Sequence, residues 1–191
     1  NDAADAEAIC EAALRPTMRF VPVKSEATQG AAMVFRIREL LIRQRTQAIN
    51  ALRGHLGEFG QVVPQGAANA ARLVAIVEDP DSGLPADAIA TLKVLVAALA
   101  HLETEIGKLD AEVAVRAKEN DVARRLMTVP GIGLLIATAI AVLAPPPETF
   151  RRARDFAAWL GLTPRQHSTG GKQRLGATTK MGERSLRRLL I

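Results

Sequence analysis

No tyrosine occurs among the 191 residues, tryptophan occurs once, and aromatics make up only 3% of the chain. A covalent bond through tyrosine is thereby excluded for this segment; Ser or Thr would have to carry one. With 48% apolar residues and so few rings, the core must be built from Ala, Leu, Val and Ile. That is a helix-forming palette, and a mainly α fold follows from it. The single cysteine, Cys10, excludes an internal disulfide framework and fits a reducing compartment, and three scattered His add no zinc-ligand spacing. Long apolar runs are missing as well. The longest uncharged stretch, 126–147, is broken by Pro130, Gly131 and Gly133, which leaves about a dozen apolar residues where a membrane span needs roughly 20. No membrane partner is expected. The chain starts Asn-Asp-Ala without a signal peptide and stops on Ile191, so it reads as a segment of something longer.

What is present is positive charge, unevenly spread. The chain carries a net +5 with a pI near 10.0, which points to a polyanionic partner without saying anything of fold. From residue 151 to the end, ten Lys or Arg face only Asp155 and Glu183, an excess larger than that of the whole chain.

Residues 1–14 read as an Ala-rich helix. Asp2 and Asp5 stand at i, i+3, which puts both carboxylates on one helix face, about 5 to 6 Å apart at Cβ. Such a pair can share a divalent metal through oxygen ligands; equally, acids in a first turn complement the helix dipole and cap its free N–H groups. Pro16 and Pro22 break this helix, and residues 19–23 have the pattern of a short extended connector. A long helix is predicted over 28–60, with Phe35, Arg38, Ile42, Arg45, Ile49, Leu52, Leu56 and Phe59 in alternating steps of three and four. Two arginines in that seam set a register or, with Arg36, Arg43 and Arg53, belong to a solvated basic face or a nucleic-acid surface. A shorter helical pattern covers 62–77 and stops at a turn cluster, 79–85. Then Leu92, Leu95, Leu99, Leu102, Ile106, Leu109 and Val113 repeat the heptad, for an antiparallel hairpin with the first long helix or for self-association.

A short helix over 119–128 leads to Val129-Pro130-Gly131-Ile132-Gly133 and an apolar helix over 134–143. This turn resembles the hairpin of helix-hairpin-helix DNA-binding modules: Gly131 and Gly133 permit positive φ, and the free N–H groups of the next helix point at a phosphate. A plain Pro-Gly connector has the same pattern. Three prolines, 145–147, end that helix, and another is predicted over 148–160 with Phe150, Phe156 and Trp159 on its buried side. The last element, 178–191, reads as a capped, strongly basic helix.

Between these two lies a basic, glycine-rich loop, 163–176, with Ser168 at its centre. It is not a nucleotide loop, because a Walker motif needs glycine where Gln166 stands and Ser or Thr where Gln173 stands. No Gly-x-Ser-x-Gly elbow surrounds Ser168 either. His167 is adjacent and could orient a proton, although neighbouring side chains in a loop often diverge.

Four stretches together resemble one family: Asn-Asp-Ala-Ala-Asp-Ala-Glu-Ala-Ile at the start, Arg-Glu-Leu-Leu-Ile-Arg-Gln-Arg-Thr-Gln-Ala-Ile-Asn-Ala-Leu-Arg-Gly-His-Leu over 38–56, the Val-Pro-Gly-Ile-Gly turn, and Gly-Leu-Thr-Pro-Arg-Gln-His-Ser-Thr-Gly-Gly-Lys-Gln-Arg-Leu-Gly over 161–176. They look like the DEDD transposases of bacterial insertion sequences, recombinases guided by a bridge RNA. The resemblance implies an N-terminal α/β domain of ribonuclease H type, of which 1–26 is the end. A helical coiled-coil region, 27–118, and a C-terminal transposase domain, 119–191, follow. It implies four acids holding Mg²⁺, with Asp2 and Asp5 as the last two and the others upstream, and it aligns Ser168 with the serine proposed as nucleophile in strand exchange. Gly131, Gly133, Arg165, Gly170, Gly171, Lys172, Arg174, Lys180, Arg184, Arg187 and Arg188 are the nucleic-acid-binding candidates. DNA, a guide RNA and further copies of the chain are the implied partners, in the bacterial cytoplasm at the nucleoid. The segment alone would be inactive. Two other readings remain beside this one: a nonenzymatic nucleic-acid-binding module, and an oligomerising remnant of a decayed transposase.

Overall fold

A computed structural model describes residues 2–18, 20 and 23–191. The described residues form eight α-helices and one small antiparallel sheet, so the mainly α expectation holds. The connector expected at 19–23 falls largely outside them.

Helix α1 (Asp2–Leu14) buries none of its residues. Helix α2 (Glu26–Glu58) is started by Ser25, whose Oγ accepts from the N–H of Thr28 at 3.2 Å. At about 1.5 Å per residue it extends roughly 50 Å. Helix α4 (Ala86–Glu119) is equally long and runs antiparallel beside it, while α3 (Ala70–Glu78), in the connection between them, packs against both. The heptad of α4 thus finds its partner within the chain: Leu92, Leu99, Ile106 and Val113 are buried, as are Phe35, Ile49, Leu52 and Leu56 of α2. Of the shorter pattern over 62–77 only the second half becomes α-helix, after a 3₁₀ turn at Ala67–Asn69.

Two apolar cores result. The far core joins Ile49, Leu52, Leu56, Leu73, Val77, Leu92 and Leu99; the near core joins Ala32, Phe35 and Val113 to Ala139, Leu143, Leu160 and Leu186. Between them the seam keeps buried Ile106 and adds one charged contact. Arg38 donates from Nε to Asp110 Oδ1 at 2.5 Å across the two helices, which makes it a register-setting contact of the hairpin.

Helix α5 (Asp121–Leu126) begins at Asn120, whose side chain accepts from the N–H of Ala123 at 3.0 Å. A turn closes when Ile132 N–H donates to Val129 O at 3.0 Å, with Pro130 first and Gly131 second at φ 87°, a type II arrangement. Helix α6 (Leu134–Leu143) then packs against α2, α4 and α5. Its one buried hydroxyl, on Thr138, is satisfied by Leu134 O at 2.8 Å. The helix expected over 148–160 is shorter. Pro147–Thr149 forms a 3₁₀ turn, Phe150 is extended, and α7 (Ala153–Trp159) starts only where the Asp155 carboxylate accepts from the N–H of Arg152. Phe150, Phe156 and Trp159 are half-buried and in mutual contact, with centroids 5.3 to 6.0 Å apart.

Candidate nucleic-acid interface

The loop at 163–176 is a β-hairpin. Strands β1 (Pro164–Gln166) and β2 (Leu175–Thr178) pair antiparallel, and an isolated bridge joins Thr169 to Lys172 nearer the tip. At the tip Gly170 and Gly171 have φ of 55° and 77°, and Lys172 N–H donates to Thr169 O at 3.0 Å. Two consecutive positive φ values are the mark of a type I′ turn, whose twist suits a two-residue hairpin and which side chains resist. The local signal was the Gly-Gly pair. The strands are three and four residues long and exposed on both faces, so no alternation betrayed them.

Ser168 lies on the β1 side of this hairpin and is exposed. Its hydroxyl donates to Gln166 Oε1 at 3.1 Å and accepts from the N–H of Arg174 at 3.0 Å. His167 turns elsewhere: a Cβ added to Gly176 would lie 2.9 Å from its Nε2, so the imidazole rests over that glycine. Arg165, Lys172 and Arg174 are exposed around the serine, and Lys180 and Arg184 follow on the chain. None of the five makes an ion pair among the described residues. Their charge is free for an anion.

The hairpin is fastened to the near core by backbone contacts. Thr179 and Lys180 donate to the carbonyls of Thr163 and Gly161 at 2.9 and 3.0 Å. Beneath them Gly182 presses on the end of α7, where an added Cβ would come 2.0 Å from Trp159 O. This crossing delays the last helix. The expected helix over 178–191 is reduced to α8 (Arg184–Leu190), because Thr178 belongs to β2 and Lys180 adopts φ 55°.

Among the basic residues of α8, the reading of Arg187 as a nucleic-acid contact is corrected. Its side chain is buried, and its guanidinium donates to Leu160 O at 3.0 Å and Gly182 O at 3.4 Å. It clamps the glycine crossing from within, satisfying the buried Leu160 carbonyl and reaching the half-buried one of Gly182. Arg188 is partly exposed but paired with Glu39 of α2, which also accepts from Ser185 Oγ at 2.9 Å. Glu39 and Gln166 lie in the quoted stretches but were given no role of their own there, and only their partners reveal one.

In the α5–α6 turn, Gly131 uses its left-handed freedom but Gly133, at φ −80°, does not; it is the extended N-cap of α6. The first amides of α6 have no side-chain cap. Asp2 and Asp5 are exposed in the first turn of α1. Among the described residues no three acidic, His or Cys side chains gather as a metal site. Two carboxylates nevertheless fit Mg²⁺, a hard cation that takes oxygen ligands and is commonly held by one or two carboxylates with waters. No helix among the described residues is long and apolar enough to cross a membrane.

Comparison with known proteins now bears on this arrangement. Residues 123–191, which hold the α5–α6 turn and the serine hairpin, match the profile of the transposase IS116/IS110/IS902 family. Residues 1–60 match a second transposase profile, the DEDD type of IS110. The chain is 46% identical over 193 residues to a Pseudomonas aeruginosa PAO1 protein named "Probable family 20 transposase", covering 100% of this chain and 57% of that protein. It is 38% identical to the transposase for insertion sequence element IS1328 of Yersinia enterocolitica, with 100% and 57% covered. The transposase for element IS1111A of Coxiella burnetii is 36% identical, with 100% and 53% covered. The chain therefore spans a little over half the length of these relatives. One transposase profile thus matches at each end of the chain and these relatives align along its whole length, so the chain is similar throughout to insertion-sequence transposases of the IS116/IS110/IS902 family.

Proposed function

We propose that the longer protein of which these residues form part cuts and joins DNA strands to move an insertion sequence, with Ser168 as nucleophile. The observation that carries this reading is the exposed Ser168 hydroxyl on a glycine-tipped hairpin among the unpaired cations Arg165, Lys172 and Arg174. The Oγ would attack a backbone phosphorus and form a phosphoserine link while the bond from phosphorus to the departing sugar oxygen breaks. Lys172, Arg174 and Arg165 would neutralise the phosphate, and the amides of Gly170 and Gly171 would donate to the oxygen that gains charge. Asp2 and Asp5, with acids from the rest of the ribonuclease-H-like domain, would hold Mg²⁺, whose charge polarises the scissile phosphate.

The α5–α6 turn supports a helix-hairpin-helix grip, since the uncapped amides of α6 follow Gly131 as phosphate donors. Residues 1–26, 27–118 and 119–191 would serve as the end of the catalytic α/β domain, the helical spacer and the transposase domain. DNA is the expected substrate, a bridge RNA the guide, and a dimer or tetramer at the nucleoid the working form, so that serine and acids meet between copies.

The test uses the full-length protein with its own element ends and flanking RNA. Ser168→Ala is expected to abolish strand joining while nucleic-acid binding persists, and Asp2→Ala to abolish Mg²⁺-dependent cleavage. Strand joining by the Ser168→Ala protein would sink the serine role. Salt-dependent binding without metal-dependent cleavage by the wild type would instead leave a nonenzymatic module.

A further inference from the structure

We infer that Gln166 is a positioning residue for the Ser168 hydroxyl, a role that rests on the serine reading above. Residues 166 and 168 are two apart on the β1 side of the hairpin, and alternate residues of an extended chain share a face. Gln166 Oε1 therefore comes within 3.1 Å of Ser168 Oγ, while the Arg174 N–H reaches the same oxygen from across the hairpin at 3.0 Å. A hydroxyl has one proton to give and two lone pairs to offer. With the proton committed to Gln166 and one lone pair to Arg174, a single lone pair stays open on an exposed atom. The Arg174 donor is backbone and constant, so Gln166 is the side chain that selects the rotamer.

His167 does not compete for this part, because its ring lies over Gly176. The Gln166 amide is no base at neutral pH. As the Oγ–P bond forms and the bond from phosphorus to the sugar oxygen breaks, the Oγ proton passes to water and the departing oxygen takes a proton from water. Gln166 aims the attack and does not take the proton. Misalignment of a nucleophile by about 1 Å can cost on the order of 100-fold in rate.

The experiment is single-turnover cleavage by the full-length protein on labelled duplex carrying the element ends, with the flanking RNA present. Cleavage rate, the amount of DNA covalently held by the protein, Kd for the duplex and Tm are followed together. Gln166→Met, which keeps the length, and Gln166→Leu, which is one atom shorter, both remove the amide acceptor and are each expected to slow cleavage and covalent capture about 10- to 100-fold, with Kd and Tm unchanged. In a Ser168→Ala background Gln166→Leu should change nothing measured. Unchanged cleavage in both variants overturns the proposal, and so does a fall in rate that Kd and Tm follow in parallel, which marks a structural role for Gln166. Cleavage retained by Ser168→Ala alone overturns the serine reading itself, a separate result from a Gln166 variant that cuts normally while Ser168→Ala is dead.

Discussion

At the far end of the helical hairpin, Leu52, Leu56, Leu73 and Leu92 meet because three helices with regular apolar faces lie side by side. At the near end, Phe35 and Val113 meet Leu143, Leu160 and Leu186, residues brought from five separate helical or turn segments. The far core needs only periodicity and length. The near core needs, in addition, a backbone crossing at Gly161 and Gly182, the inward Arg187, and the Glu39 contacts to Ser185 and Arg188. The candidate serine hairpin hangs from the near core, not the far one. An exposed two-stranded ribbon is marginal by itself, so placing it on a crossing that tolerates no added atom gives it a fixed base.

That contrast can be broken most severely at Gly182. An alanine methyl group there would sit 2.0 Å from Trp159 O, and the backbone must shift to admit it. Gly182→Ala is expected to cost about 3 kcal/mol or more, the upper range for overpacking. Hydrogen exchange should show α8 and the β-hairpin losing protection while the amides around Leu52 and Leu99 keep theirs. Uniform loss along the chain would mean that the two ends fold as one unit. Next in size is Leu52→Ala at the far end, where a fully buried side chain leaves a cavity at a cost of about 2 to 5 kcal/mol. Urea unfolding should report it, with the hairpin near Ser168 still protected in folded protein. The smallest effect belongs to the charged contact at the waist. Asp110 is about half exposed, so a double-mutant cycle between Arg38→Met and Asp110→Asn should return roughly 0.2 to 1 kcal/mol. A coupling several times larger would make the waist a principal lock between the ends.

The far core was legible in the residue spacing, because seam positions 49, 52 and 56 of the first long helix and 92 and 99 of the second declare buried stripes without help from elsewhere. The near core was legible only in part. The apolar character of 134–143 and the aromatic cluster at 150, 156 and 159 were visible, but the helix predicted over 148–160 was cut short by the 3₁₀ turn at Pro147 and the cap at Asp155. Strands exposed on both faces leave no hydrophobic signature, and the segment read as a glycine-rich loop although its Gly-Gly pair is the turn of a hairpin. Arg187 and Arg188 looked alike as members of a basic run. One is a buried clamp and the other an ion-pair partner, since helix phase against the Leu160–Gly182 crossing sends them to different neighbours.

Residue order by itself determined the two long helices, their apolar seam, the position of Ser168 in a glycine-rich basic stretch and the family resemblance, all of which depend on local spacing and residue type. Tertiary structure alone decided that the seam pairs within the chain, that Arg187 turns inward, and that Ser168 is held by Gln166 and Arg174. Those outcomes depend on which distant backbone groups come within hydrogen-bonding reach, and a hydrogen bond is set by a few tenths of an ångström that no spacing along the chain encodes.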